Sequence, residues 1–195
     1  MRAPVFVLLS TLAATTAAGQ ELALRLDPAR TVVAFTLQAT LHTVEGSVPV
    51  VAGEIRFDRA SGQASGRVEL DARRAGTASP GRDRKMHAEV LESDRYPAIV
   101  LVPNRVEVEE EGPEKVTVRL AGTLSIHGGD HPVELVAAVR REGDRIVADA
   151  TLTVPYVAWG MRDPSVLLLR VAKQVEVRVH AVGTLAPMDP VPGGA

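Results

Sequence analysis

The sequence predicts an all-β domain of eight antiparallel strands closed into an up-and-down barrel, with one short helix in the long connection around residues 80–92. Three observations carry this. Apolar residues recur with period two along most of the chain, the pattern of strands with one buried and one solvated face. Hairpin chemistry separates the runs: Ser61-Gly62, Ser65-Gly66, Glu111-Gly112-Pro113, Gly128-Gly129-Asp130 and Glu142-Gly143-Asp144. A meander of this length would leave exposed edges that invite pairing with other chains, and closure into a barrel removes them.

Taken in order, weaker alternation marks Leu22 to Leu26, Val33 to Leu41 and Val50 to Phe57, and Val68 and Leu70 alternate with Arg67, Glu69 and Asp71. Ile99 to Val108 is again weak. The clearest run is Val116, Val118, Leu120, Gly122, Leu124 and Ile126, interleaved with Thr117, Arg119, Ala121, Thr123, Ser125 and His127. Val133 to Val139, Ile146 to Tyr156 and Val175 to Val179 complete eight or nine strands. Between Arg73 and Ala98 the rhythm breaks. Met86 and Val90, and His87 and Leu91, fall four apart there, which predicts a helix able to cover a barrel mouth. A second irregular stretch, Val157 to Arg170, holds the single tryptophan, Trp159.

Residues 1–19 read as a secretory signal peptide: Arg2 precedes an apolar run that ends in Ala17-Ala18-Gly19, and the run is too short and too interrupted by Ser and Thr to span a membrane. Residues 20–186 form the barrel domain, and 187–195 read as a loose tail. The expectation is a periplasmic or secreted protein. Over 195 residues, 46% are apolar and 24% charged, with a net charge of -2, which suits one globular domain and supplies no basic field for nucleic acid. With no cysteine, disulfides and thiolate chemistry are excluded. Arg67, Glu69, Asp71, Arg119, Glu176 and Arg178 fall on the outward face, which a lipid-embedded barrel would not tolerate. Glu107 to Glu111 and Arg140-Arg141 are read as decorating solvated faces or turns.

Three constellations bear on chemistry. His42, His127 and His131 are the candidate metal ligands, but alternation turns His127 outward and no ligand motif reinforces the set, so no metal is expected. Asp83 and His87, four apart on the helix, have the spacing of a general-base pair and equally of an ordinary helix-stabilising pair. No nucleophile elbow accompanies them. The third constellation is the interior, lined mostly by Val, Leu, Ala and Ile. Eight strands enclose a centre that side chains fill or that holds one small ligand, and alternation describes both.

The order of certain segments resembles the YceI-like family. These are Asp27-Pro28 with Val32 to Phe35, then Gly53 to Asp58, Arg82-Asp83 before Met86-His87, Leu91-Glu92-Ser93 and Tyr96-Pro97. Gly122 to Gly128 with His131-Pro132-Val133, and Val154-Pro155-Tyr156 with Trp159-Gly160, extend the likeness from Leu22 to Leu185. Ala39 stands where many members carry His, and the nearest His here is His42. The resemblance implies an exported, lipocalin-like barrel whose apolar tunnel takes the isoprenoid tail of a quinone or polyprenyl lipid, with no catalysis and no cofactor.

On that reading Phe35, Leu37, Phe57, Leu70, Leu124, Val154 and Tyr156 line the tunnel by alternation. Met86, Leu91, Tyr96, Trp159 and Leu168 sit near its openings, and Arg82 or His87 meets a polar head. The expected partner is an isoprenoid lipid, with transient contact to a membrane or membrane protein, and pairing of two copies as a further option. A hydrolase or isomerase using Asp83 and His87, and a structural barrel with a filled core, stand as alternatives.

Overall fold

In the computed structural model the described residues are 21–40, 42–165 and 170–188. Ten strand segments follow one another: β1 (Glu21–Leu26), β2 (Val32–Gln38), β3 (Thr43–Ser47), β4 (Val50–Asp58), β5 (Ala64–Asp71), β6 (Ala98–Glu111), β7 (Val116–Ile126), β8 (Gly129–Glu142), β9 (Arg145–Val154) and β10 (Val175–Pro187). All their pairings are antiparallel. The long connection after β5 carries a short 3₁₀ turn (Ala72–Arg74), the helix α1 (Pro80–Lys85) and a wider π-type turn (Met86–Val90) that continues it.

The ten segments make an eight-stranded closed barrel, because two of its walls are interrupted strands. One edge of β10 pairs with β9 throughout. Its other edge pairs with β2 over Glu176–His180 and with β1 over Gly183–Pro187. Thus β1 and β2 are one wall broken at Asp27–Thr31, and β3 and β4 are its neighbour broken at Val48-Pro49. At the first break the ladder is repaired by a side chain. Thr31, buried, exchanges hydrogen bonds with Val182, its Oγ1 donating to the carbonyl at 3.3 Å and accepting from the amide at 3.2 Å. The β1–β10 pairing closes the ring and leaves no long open edge.

β3 is the segment that alternation does not announce: Thr43–Ser47 contains one buried apolar residue, Val44, and a glycine. It forms because the β2–β3 turn returns the chain along β2. In β6, Pro103 sits mid-strand, fully buried, where the pairing with β7 slips by a residue. A proline there removes a donor at a point where the ladder is already interrupted. Gly122 faces it, and a Cβ at that position would lie 2.5 Å from the carbonyl oxygen of Val102.

The outer face carries short-range ion pairs between residues two apart on one strand, among them Arg56–Glu54, Arg67–Glu69, Arg105–Glu107 and Arg178–Glu176. Each contributes little. Together they keep that face wet while the inward residues supply the core, which runs from Val50 and Ile55 through Leu124 and Val133 to Val154 and Met161.

The expected leader, residues 1–19, lies outside the described residues, as do Leu168 and residues 189–195. The first two residues of the expected tail belong to the barrel: β10 runs through Pro187, and the Met188 amide donates to the Glu21 carbonyl at 2.8 Å.

Candidate functional site

Strand direction sorts the connections into two ends. The β2–β3 turn, the α1 connection, the β7–β8 turn and the loop between β9 and β10 lie at one end, here called the helix end. The β4–β5, β6–β7 and β8–β9 turns lie at the far end. Between them the barrel encloses a cavity of about 750 Å³, lined from every wall by aliphatic side chains. Its liners include Ala39, Met86 and Pro164 at the helix end and Pro113 and Leu185 at the far end, so it runs the length of the barrel.

Of the expected tunnel residues, Phe35, Leu37, Phe57, Leu70, Leu124, Val154 and Tyr156 all face the cavity. Six of them lie on strands, where a side chain's face follows from its place in the run, and Tyr156 sits in the turn just past β9. Of those expected near its openings, Met86, Leu91 and Arg82 reach it. His87, Tyr96 and Trp159 are not among the lining residues.

Each of these three exceptions has a local cause. After Lys85 the helix widens, and the Leu91 amide donates to the Met86 carbonyl at 2.8 Å, a bond five residues long. That wider turn sets Leu91 under Met86 rather than under His87, so Met86, Val90 and Leu91 all face the cavity while His87 turns aside. The Nδ1 of His87 lies 3.0 Å from the Oγ of the buried Ser93. Tyr96 packs instead against His127, ring centroids 4.8 Å apart. Trp159 stacks flat on His131 at 4.1 Å, which ties the β9–β10 loop to the β7–β8 hairpin.

The three histidines considered as a metal set are dispersed. His42 is at the helix end of the cavity, His131 is under Trp159, and His127 is bonded to Glu92 Oε2 at 2.8 Å. Among the described residues no group of three His, Asp or Glu could hold a metal ion. Contrary to its expected outward position, the His127 side chain is only 14% exposed. Ile126 is the last strand residue; His127 and Gly128 form the turn with φ of 51° and 75°, which rotates the imidazole off the alternating face and onto the helix connection.

Asp83 and His87 do not bond to one another. Asp83 Oδ1 accepts from the Thr77 amide at 2.9 Å and from Thr77 Oγ1 at 2.6 Å, anchoring the start of α1. These hydrogen bonds, led by that from the Thr77 hydroxyl, hold the Asp83 carboxyl below its usual range.

Inside, the polar groups are already engaged. The Tyr156 hydroxyl donates to the Ala172 carbonyl at 2.8 Å, and burial pushes its pKa up to about 12. Thr31 is spent on Val182. The charged liners are confined to the two ends: Arg82 and Lys85 at the helix end, and Arg59, Lys115, Arg140 and Arg141 with Glu111 and Glu114 at the far end. The far set includes Glu111, Arg140 and Arg141, which the sequence assigns to solvated faces or turns; the turns beside them fold around the opening. Lys85 also escaped the sequence reading, although its place three residues after Arg82 on a helix puts both on one side.

The family model of the YceI-like domain matches residues 24–183. The chain belongs to the YceI-like family. No curated protein matches it. Among solved structures, BcnA of Burkholderia cenocepacia superposes with a TM-score of 0.66 at 20% identity, covering 82% of this chain and 99% of that one. A polyisoprenoid binding domain from Saccharophagus degradans gives 0.64 at 13% identity, covering 86% and 99%. A YceI protein of Campylobacter jejuni gives 0.57 at 17% identity, covering 77% and 88%. At these identities the superpositions establish the shared fold.

Proposed function

We propose that this YceI-like protein is an exported carrier that shelters the tail of an isoprenoid lipid, a polyprenyl chain or the tail of an isoprenoid quinone, in its barrel and performs no chemistry on it. The observation that carries this reading is the cavity of about 750 Å³, aliphatic along its length and continuous from one end of the barrel to the other. Ligand sites commonly measure about 300–1,000 Å³. A branched hydrocarbon gains about 0.8 kcal/mol for each carbon removed from water, so some ten buried carbons offset the several kcal/mol lost in association. The name of the Saccharophagus domain points to the same ligand class. Export rests on the leader-like residues 1–19, and release of the lipid calls for a passing contact with a membrane or membrane protein.

The use of Asp83 and His87 as a catalytic pair has no support in their geometry, since each is held by a different partner. A filled structural core is equally hard to reconcile with the enclosed space. The test is native mass spectrometry of the full chain purified from its own host. A retained adduct of isoprenoid mass is expected; a bare protein that also fails to take up geranylgeraniol from detergent would overturn the proposal.

A further inference from the structure

The two ends of the cavity differ in how their charges are satisfied. At the far end two of the four lining cations are paired with carboxylates, and two carboxylates line the opening itself. Arg59 pairs with Glu111 at 3.0 Å, Arg140 pairs with Glu142 and Asp149, and Arg141 Nε donates to the Gly143 carbonyl at 2.9 Å. Lys115 shares its turn with two lining carboxylates, Glu111 and Glu114.

At the helix end no carboxylate among the described residues lines the cavity. Among the described residues, neither Arg82 nor Lys85 comes within 4.0 Å of an acidic oxygen; Arg82 has only a long 3.5 Å contact with Thr77 Oγ1. The acids nearby are spent elsewhere. Asp83 accepts from Thr77, Glu89 pairs with Arg162 at 3.2 Å, Glu92 with His127 at 2.8 Å, and Asp163 accepts from the Ser165 amide at 2.9 Å. Arg82 and Lys85 therefore stand three residues apart on the side of α1 that faces the cavity, beside Met86, at the boundary between an apolar interior and water. A guanidinium offers a fork of donors and an ammonium a point charge, and bonds to an ionised acceptor are about twice as strong as those to a neutral one. Field lines from two such cations concentrate along a low-dielectric opening.

We propose that the helix end of the cavity selects lipids with an anionic headgroup, a phosphate or a carboxylate, seated on Arg82 and Lys85 with the tail directed toward the β6–β7 turn. This rests on the carrier reading above and adds to it a charge and an orientation. The full chain is titrated with geranylgeranyl monophosphate and geranylgeraniol, and with palmitate and hexadecanol, following Trp159 fluorescence or heat. The anion of each pair is expected to bind about tenfold more tightly than its alcohol at low salt, the effect of two rim charges, with the difference shrinking as salt rises. Preference for the phosphate alone, or for the carboxylate alone, supports the proposal and names the headgroup. In Arg82→Gln combined with Lys85→Gln the ratio of anion to alcohol affinity should fall to about twofold or less. Lys85→Glu, a single change at an exposed site, should lower it in the same direction.

Equal binding of anion and alcohol by the unaltered protein overturns the headgroup proposal and leaves the carrier reading standing. Binding of none of the four probes overturns both. A ratio that survives the Arg82 and Lys85 substitutions but collapses in Arg140→Gln with Arg141→Gln overturns the orientation.

Discussion

The ring of Phe35 occupies the space that a side chain at Gly46 would need. The two residues face each other across β2 and β3, and a Cβ on Gly46 would lie 2.3 Å from Phe35 Cζ and 2.5 Å from the carbonyl oxygen of Gly76. The aromatic ring therefore reaches into the cavity over the one position in β3 without a side chain. Gly46→Ala should destabilise the protein by about 1–3 kcal/mol, since backbone on one side and a packed ring on the other must both yield. Adding Phe35→Leu should recover only part of that loss because the Gly76 carbonyl remains. Urea unfolding measures it, and an unchanged midpoint for Gly46→Ala would contradict the packing described.

Filling the lumen should separate stability from binding. Ala148 lines the cavity from β9. Ala148→Phe adds an aromatic ring to empty space, so the unfolding midpoint should hold within about 1 kcal/mol while uptake of a geranylgeranyl chain weakens about tenfold or more. Loss of fold without a ligand effect would show that the space is already occupied by the protein's own packing.

Tyr156 offers a test of burial by pH. Its pKa is raised to about 12 from an ordinary value of 10.0, so the folded state holds the proton more tightly than the unfolded chain. That contribution to stability is complete below about pH 10 and is lost as pH climbs toward 12. Tyr156→Phe should flatten this alkaline decline and, by stranding the Ala172 carbonyl, cost about 1–3 kcal/mol at neutral pH. Denaturation at stepped alkaline pH reads both effects.

The anchoring of α1 makes an acid-side prediction. Hydrogen bonds from Thr77 hold the Asp83 carboxyl below its usual 3.8, so the anchor is intact above that pH and is lost as acid titrates the folded-state group. Asp83→Asn and Thr77→Val should each loosen the helix at neutral pH. Faster tryptic cleavage after Arg84 and Lys85 would report it, and an unaltered cleavage rate in both variants would rule out this anchoring role.

The stack of Trp159 on His131 should likewise be visible in solution. His131→Ala removes one face of the tryptophan's packing and frees the β9–β10 loop from the hairpin. Red-shifted emission is the expected result. Stacking of this kind contributes about 0.5–1.5 kcal/mol, so the global midpoint should move only slightly.

The residues that face the cavity from regular strands, such as Leu37, Leu70 and Leu124, were legible because a strand's alternation is a local property: a side chain's face follows from its place in the run. Where the backbone departs from regularity, the same reasoning misplaces residues. His127 left its face at a two-residue turn with positive φ, and His87 left the cavity at a π-type turn that shifts the helical period. β3 went unread because a five-residue segment with one buried apolar side chain carries no period at all.

By itself the sequence determined that this is an all-β chain with a wet outer face and an aliphatic inner one, since those depend on neighbours two residues apart. The tertiary structure decided what the inner face encloses. Whether inward side chains meet or leave a lumen depends on the circumference of the closed ring, and that is set by the pairing of β1 with β10, residues more than 150 positions apart. It also decided which charges at the openings are matched. Arg59 finds Glu111 across a turn between different walls, while Arg82 and Lys85 form no ion pair among the described residues, a distinction made by distances in space that spacing along the chain does not encode.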